Sequence, residues 1–369
     1  MDYLLKLSLI ILVLFLFIYK ELYKKQEIIV FNYNDNDNYR YLCNTFMCLN
    51  TPPNKGELLI EIRARVNNIA MLQEKKTQNN LIITDSLKKF ERFIISPSSH
   101  ICWRIICYFN KTYMYIVFQN HRSLCGGQKR LWNIINYILD NPIKTKQNKV
   151  KKQKKPDFPA INDIITSNPL VNTISLLMNK KVIEGKKRGY IIKDYHKKRY
   201  SNICKKYNCS MNDHAIALVT DLLIKSKTLK SNTINVFIPF YIDGEYSYYI
   251  LNIPNTPTDF NILVKYISDI TKRTIRNPYI KKLSLYTTKL VSLLPSPLYY
   301  KIYKNTMNNI HIFISNVVGF NMSRTIKGHP ISNIYQMYSS YNRIIEAGVS
   351  SYNDIFTIAI NYDTRYIKI

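Results

Sequence analysis

The sequence predicts a mixed α/β fold of the α+β sandwich type, and three observations carry that prediction. Two apolar, strand-like runs at residues 101–109 and 112–119 are joined by Asn110-Lys111, the composition of a tight hairpin turn. A second hairpin signal, Asp243-Gly244-Glu245, separates the strand-like runs 234–242 and 246–253. Helix-period segments lie between and after these pairs, which argues for sandwich domains with antiparallel hairpins and against a doubly wound parallel sheet. With 369 residues, 46% of them hydrophobic, the chain can bury a substantial core and is long enough for two domains of ordinary size.

The first expected element is a membrane anchor over residues 1–25. Residues 7–19 are apolar but for Ser8, extended by Tyr3, Leu4 and Leu5 on one side of Lys6 and by Leu22 on the other. A bilayer core takes about 20 mostly apolar residues, so spanning depends on Lys6 and Lys20 snorkelling toward the headgroups. A signal peptide is the competing reading, but no small-residue cleavage site follows; the next residues are Lys20-Glu21-Leu22-Tyr23-Lys24-Lys25. The heavier positive flank lies after the segment, which leaves the bulk of the chain on the cytosolic side of a single-pass anchor, at an endoplasmic-reticulum-like membrane in a eukaryotic host.

Residues 26–143 read as a first domain. A strand is expected at 58–65 and a helix at 85–93, followed by Ser96-Pro97-Ser98-Ser99. After the hairpin strands comes Gln119-Asn120-His121-Arg122-Ser123-Leu124-Cys125-Gly126-Gly127, a lone histidine and a glycine turn between a strand and a helix. Leu131, Ile134, Ile135 and Ile138 give that helix its buried face. A catalytic loop sits in such a place on a rigid scaffold, and so does a surface turn with a chance histidine. Residues 144–159, rich in lysine and glutamine, bury nothing and read as a basic crossover linker, solvated unless CoA phosphates or acidic headgroups attract it.

Residues 160–369 read as a second domain. Ser210-Met211-Asn212-Asp213 caps a helix carrying Ile216, Ala217, Val219, Leu222, Leu223 and Ile224. Thr258-Asp259 opens a helix through Ile270, and Leu294-Pro295-Ser296-Pro297 breaks the next. Strands are expected at 309–317, 347–351 and 355–361.

The formal charge of +29 would suggest a nucleic-acid or anionic-membrane partner. Lysine, asparagine, isoleucine and tyrosine are all inflated together, however, the residues that AT-rich codons produce, and no helix-turn-helix, zinc-finger or RNP-like pattern supports nucleic acid. Seven cysteines is an odd number for a disulfide framework. The pairs Cys43/Cys48, Cys102/Cys107 and Cys204/Cys209 match no familiar zinc spacing, so no metal is expected. Cys102 and Cys107 read as core thiols.

Taken together, the landmarks from about Ile82 onward resemble the wax ester synthase/diacylglycerol acyltransferase (WS/DGAT) family, within the CoA-dependent acyltransferases built like chloramphenicol acetyltransferase. Ile101-Cys102-Trp103-Arg104 resembles the end of the family's Pro-Leu-Trp element, and Asn120-His121-Arg122-Ser123-Leu124-Cys125-Gly126 aligns with its His-His-x-x-x-Asp-Gly motif. Asn212-Asp213 matches an Asn-Asp element, and Ser315-Asn316-Val317-Val318-Gly319 matches Ser-Asn-Val-Pro-Gly, followed by Gly328-His329-Pro330-Ile331 and Ser351-Tyr352.

The resemblance implies two domains of that fold with mixed sheets and a tunnel between them, acyl-CoA as co-substrate with no bound cofactor, and a lipid alcohol as acceptor. It implies His121 as the general base. A neutral imidazole suits that task near pH 7. Ser315 and Asn316 would face the tunnel and supply an oxyanion donor or orient the acceptor, or else merely end a strand; Asn212 would assist catalysis or serve only as a helix cap. Two departures stand out. Asn120 replaces the first histidine of the pair, and Cys125 replaces the aspartate that, in the wider group, pairs with an arginine to shape the loop. An ordinary thiol carries no such charge, which leaves loop shape to packing and to Gly126-Gly127. The alternative is a degenerate acyltransferase fold kept as a membrane-tethered binding or scaffold protein.

Overall fold

A computed structural model describes residues 42–50, 54–69, 72, 81–95, 103–121, 128–142, 188–242, 245–292, 306–339 and 343–368. Its strands are β1 (Leu42–Asn50), β2 (Leu81–Thr84), β3 (Trp103–Phe109), β4 (Tyr113–His121), β5 (Arg188–His196), β6 (Thr233–Ile242), β7 (Glu245–Pro254), β8 (Ile312–Val318), β9 (Thr325–Ile326), β10 (His329–Ser339), β11 (Ile345–Tyr352) and β12 (Ile355–Asp363). The helices are α1 (Lys55–Asn67), α2 (Leu87–Ile95), α3 (Gln128–Ile138), α4 (Lys197–Lys206), α5 (Met211–Ser226), α6 (Phe260–Arg273) and α7 (Pro278–Ser292). The expected anchor and the 144–159 crossover both lie outside the described residues. Among the described residues no helix is long and apolar enough to cross a membrane.

These strands form two six-stranded mixed sheets within the compact unit Tyr39–Ile369. The first runs β2-β3-β4-β1-β10-β9 and the second β5-β12-β11-β8-β6-β7. Both expected hairpins form, β3 against β4 and β6 against β7, each antiparallel. Asn110 turns the first: its side-chain oxygen accepts from the backbone N–H groups of Thr112 and Tyr113 at 2.7 and 2.9 Å, an Asx turn.

From Ile105 to Phe109 β3 is a continuous apolar run because both its faces are covered. Ile105 and Cys107 join one core with α1 and α3, while Ile106 and Tyr108 join a second with Phe90 and Ile94 of α2. Burial pushes the Cys107 thiol up to about 12, the inert core thiol its sequence context suggests. The second sheet is covered on one side by α5 and α6 through Ile216, Val219, Leu223, Leu263, Val264 and Ile267.

One expectation fails outright. Residues 58–65, expected as a strand, lie in helix α1. Their period-2 alternation is real, but Leu58, Ile62 and Val66 recur every four residues and are the ones that become buried, while Ile60 is left 71% exposed. The Glu61–Arg65 pair at 2.7 Å, spaced i,i+4, adds a helix-specific contact.

β10 comes from the far end of the chain yet pairs with β1 in the middle of the first sheet, from Leu42 opposite Ser339 to Leu49 opposite Ile331. β11 of the second sheet then lies directly on it. A Cβ on Gly348 would stand 2.0 Å from the carbonyl oxygen of Gln336, a contact only glycine permits. Asn361 donates to the Tyr338 carbonyl at 2.9 Å, and buried Glu346 sits between Arg343 at 3.1 Å and Arg188 at 3.5 Å.

α3 is tied down at its C-terminal end, where a helix leaves carbonyls unsatisfied. Arg65 donates to Ile138 O at 2.9 Å, and Arg324 to Asp140 O and Asn141 O at 2.7 and 3.1 Å. The Asp140 carboxylate accepts from Thr325 Oγ1, the Lys327 and Gly328 amides and Arg65, all within 2.9 Å. Burial alone would raise its pKa, but these donors outweigh it and hold the carboxyl well below the usual carboxylate range.

Two outcomes are expected. Gly348→Ala costs about 1–3 kcal/mol or more in denaturant melts, because backbone must move. Asp140 has a depressed folded pKa, so its contribution is full above the ordinary carboxylate range and disappears as pH falls through the folded value. Asp140→Asn therefore lowers stability by about 1–3 kcal/mol at pH 7, and its deficit against wild type shrinks in melts taken progressively below about pH 4.

Candidate functional site

The candidate site lies at the end of β4 and the start of α3, and α3 meets the segment that follows β8. His121 is the last residue of β4, its backbone opposite Leu42 of β1. Its side chain, and with it Arg122, Cys125, Gly126 and Gly127, lies outside the described residues. Both ends of the loop are nevertheless placed.

The β4 end is fixed by its neighbours. Asn120 is buried, opposite Cys43 on one side and Trp103 on the other. Trp103 donates its ring N–H to Leu72 O at 3.0 Å and stacks near Phe118. Arg104 reaches Gln119 at 2.5 Å and Phe93 O at 2.7 Å. The tryptophan and arginine of the remnant motif therefore act as braces for the strand that carries the histidine.

The α3 end meets β8. Trp132 packs edge-on against Phe320 with centroids 5.1 Å apart, and Leu131, Trp132 and Val317 share one core. Gln128 begins the helix four residues earlier, about 6 Å along its axis at 1.5 Å per residue. The histidine loop thus ends close to the Ser315–Gly319 segment. Gly319 is needed there: its N–H donates to Ser351 O at 3.0 Å, and a Cβ would stand 2.2 Å from that oxygen.

Strand alternation separates Ser315 from Asn316. Ile312 and Ile314 face the core under α5 and α6, so Asn316 shares their side; Phe313 and Val317 face the first sheet, and Ser315 goes with them. The two expected tunnel-facing residues are therefore on opposite faces of β8. Ser315 is buried beside Gly348, its parallel partner on β11.

Asn316 instead donates to the side-chain oxygen of Asn212 at 2.5 Å. That contact joins two of the sequence's motifs across 104 residues. It also changes the reading of Asn212, which is not the helix cap. Ser210 is, with Asp213 closing the capping box at 3.2 and 2.9 Å. Asp213 further accepts from Thr271 at 2.7 Å and pairs with Arg276, which ties α5 to the end of α6. The Asn-Asp element divides its labour: the aspartate builds the helix start, and the asparagine reaches the strand.

The next residue, His214, is a core histidine. Its Nδ1 is 2.9 Å from the Tyr200 hydroxyl, Tyr200, Tyr207 and Phe260 surround it, and burial lowers its pKa. No group of three His, Cys, Asp or Glu side chains suited to a metal occurs among the described residues. Sequence reasoning missed Phe320 and Arg324, whose guanidinium lies 4.9 Å over the Phe320 ring, and three buried polar residues of the seam, Thr45, Gln336 and Ser350. Polar residues in strands carry no periodic signal that marks them as buried.

The Asn212–Asn316 bond is measurable. A double-mutant cycle of Asn212→Ala and Asn316→Ala is expected to show a coupling of about 1 kcal/mol in denaturant melts; strictly additive losses would mean the contact carries no energy in solution.

Residues 245–368 match the family model of the WS/DGAT C-terminal domain. A search of curated protein sequences finds no match. Among solved structures, a wax ester synthase/diacylglycerol acyltransferase from Marinobacter aquaeolei VT8 is similar over 90% of this chain and 91% of that one, at 13% identity and a TM-score of 0.61. The trichothecene 15-O-acetyltransferase TRI3 from Fusarium sporotrichioides is similar over 88% and 87%, at 10% identity and 0.54. TRI101 from F. sporotrichioides, solved with coenzyme A and T-2, is similar over 89% and 93%, at 8% identity and 0.52. Residues 245–368 thus match the WS/DGAT C-terminal domain, in a chain whose fold is similar to that of chloramphenicol-acetyltransferase-like acyltransferases.

Proposed function

We propose that the protein is an O-acyltransferase that moves a fatty acyl group from acyl-CoA to a lipid alcohol, diacylglycerol or a long-chain alcohol, giving triacylglycerol or wax ester. The observation that carries this reading is the Trp132–Phe320 contact, which brings the helix after the histidine loop against the segment following Ser315–Gly319. The family match over residues 245–368 supports the same chemistry.

In this reading His121 takes the hydroxyl proton as the acceptor oxygen attacks the thioester carbon. The tetrahedral adduct collapses, the C–S bond breaks, and the imidazolium returns the proton to the leaving thiolate of CoA. In the same reading Ser315 donates to the oxyanion, a role supported by its lying on the face of β8 that looks toward the first sheet. Asn212 and Asn316 act on the other face by bracing β8 against α5. The apolar segment at residues 7–19 serves as a single-pass anchor that keeps the catalytic body on the cytosolic side, beside a membrane that dissolves the acceptor.

One observation favours a second reading, a degenerate acyltransferase fold retained for binding or scaffolding: Cys125 stands where the family motif has aspartate. Labelled acyl-CoA offered with each acceptor to membranes containing the protein separates the two. Wild type should form neutral lipid, and His121→Ala should lower kcat about 10²–10⁴-fold. Folded wild type that forms no product while Cys125→Asp gains activity would establish the degenerate reading.

A further inference from the structure

Cys43/Cys48 and Cys204/Cys209 share one spacing in the sequence, and the fold treats them oppositely. Cys43 and Cys48 both lie on β1, on opposite faces and about 16 Å apart along extended chain. Cys204 and Cys209 straddle the end of α4, where the chain turns back on itself. Asn208 is left-handed there, with φ 48°. Its N–H donates to Lys205 O at 3.0 Å, and that of Cys209 donates to Cys204 O at 3.0 Å, the paired bonds of a Schellman turn. In such a turn the two positions that cysteine occupies here are the ones whose side chains commonly meet.

The turn brings the thiols within bonding reach. With the Cys209 N–H on the Cys204 carbonyl, standard peptide dimensions keep the two Cα atoms no more than about 7 Å apart, the limit beyond which a disulfide cannot close. Cys209 Sγ is turned toward its partner, 3.6 Å from Cys204 O. Both are free thiols, Cys204 buried and Cys209 half-buried. Burial and the adjacent Cys209 push the Cys204 thiol up to about 12. Burial and Asp213 raise Cys209 as well, against the pull of Cys204, Arg276 and Lys272. The half-buried thiol is therefore the point of entry, and Cys204 reacts only with what Cys209 brings to it.

We propose that Cys204 and Cys209 form a site of reversible oxidative modification, closed into a disulfide by exchange with a low-molecular-weight disulfide such as oxidised glutathione. The Cys209 thiolate attacks one sulfur of the small disulfide, whose S–S bond breaks, and the departing thiolate takes up the proton that Cys209 gave up. The Cys204 thiolate then attacks Cys209 Sγ and expels the second small thiol, which takes the proton from Cys204. Two protein thiols are oxidised and one small disulfide is reduced to two thiols. A reducing thiol pool reverses the exchange, so the bond reports oxidising conditions. It lies one residue before Ser210 and fastens the end of α4 to the start of α5, the helix whose Asn212 holds Asn316 on β8. The inference is independent of the acyltransferase reading.

In the test, full-length protein is incubated with oxidised glutathione, unfolded, alkylated at its remaining thiols and digested with trypsin for mass spectrometry. Cleavage after Lys205 and Lys206 places the two cysteines on separate peptides, 200–205 and 207–225, so the disulfide appears as a linked pair that dithiothreitol separates. That pair should account for most of both cysteines in wild type. Cys204→Ala should instead keep one glutathione on Cys209, and Cys209→Ser should leave Cys204 without glutathione. The oxidised wild type should melt higher than the reduced, because a bond made at native geometry restricts only the unfolded chain. Glutathione held on wild-type Cys209 without the linked pair, both cysteines untouched, or a lower melting temperature after oxidation overturns the proposal.

Discussion

The architecture depends on one backbone-to-backbone contact, β11 lying on β10 at Gly348 and Gln336. β10 is hydrogen-bonded into the first sheet through β1, and β11 into the second through β8 and β12. A side chain at residue 348 would hold the two apart. With glycine there, the inward faces of both sheets close on each other, and Val317 and Tyr352 of the second sheet enter the core built by α1, α3 and the first. The buried Arg343–Glu346–Arg188 group ties β5 to β11 within the second sheet, two residues from Gly348, with its charges desolvated and paired, which makes it a means of alignment more than of net stability.

The seam explains the division of roles among the motif residues. β8 runs parallel to β11, so each residue facing the seam is flanked by one facing the helices. Ser315 inherits the inner face and Asn316 the outer. What the sequence presents as a pair of equivalent polar residues becomes one group toward the first sheet and one brace to Asn212 on α5. The capping box frees Asn212 for that contact, because Ser210 and Asp213 already satisfy the helix start.

Much of this was legible before any coordinates. The two hairpins, the helix behind the histidine loop, the cap at Ser210 and the strand-rich end follow from turn chemistry and periodicity, which are local. The strand expected at residues 58–65 failed because Leu58, Ile62 and Val66 fit period four as well as their neighbours fit period two, and tertiary burial decided between them. β1 and β10, the centre of the first sheet, went unseen: each is broken by buried polar residues, Asn44 and Thr45 in one and Asn333 and Gln336 in the other. The polar residues that hid these strands are the ones that make the seam chemically distinctive. Pairing between residues nearly 300 apart leaves no trace in either segment.

The replacement of the motif aspartate by Cys125 removes a charge that, in the wider group, shapes the loop. Here the loop's boundaries are held by other means. β4 is paired on both sides up to Asn120 and braced by Trp103 and Arg104. α3 is held near its start by Trp132 against Phe320 and at its end by Arg65, Arg324 and the Asp140 web. The entropy of closing a loop depends on its length and on the rigidity of its ends, and here both ends are fixed. The borders are thus fixed without that charge, and the backbone of His121 stands on one of them, as the last residue of β4.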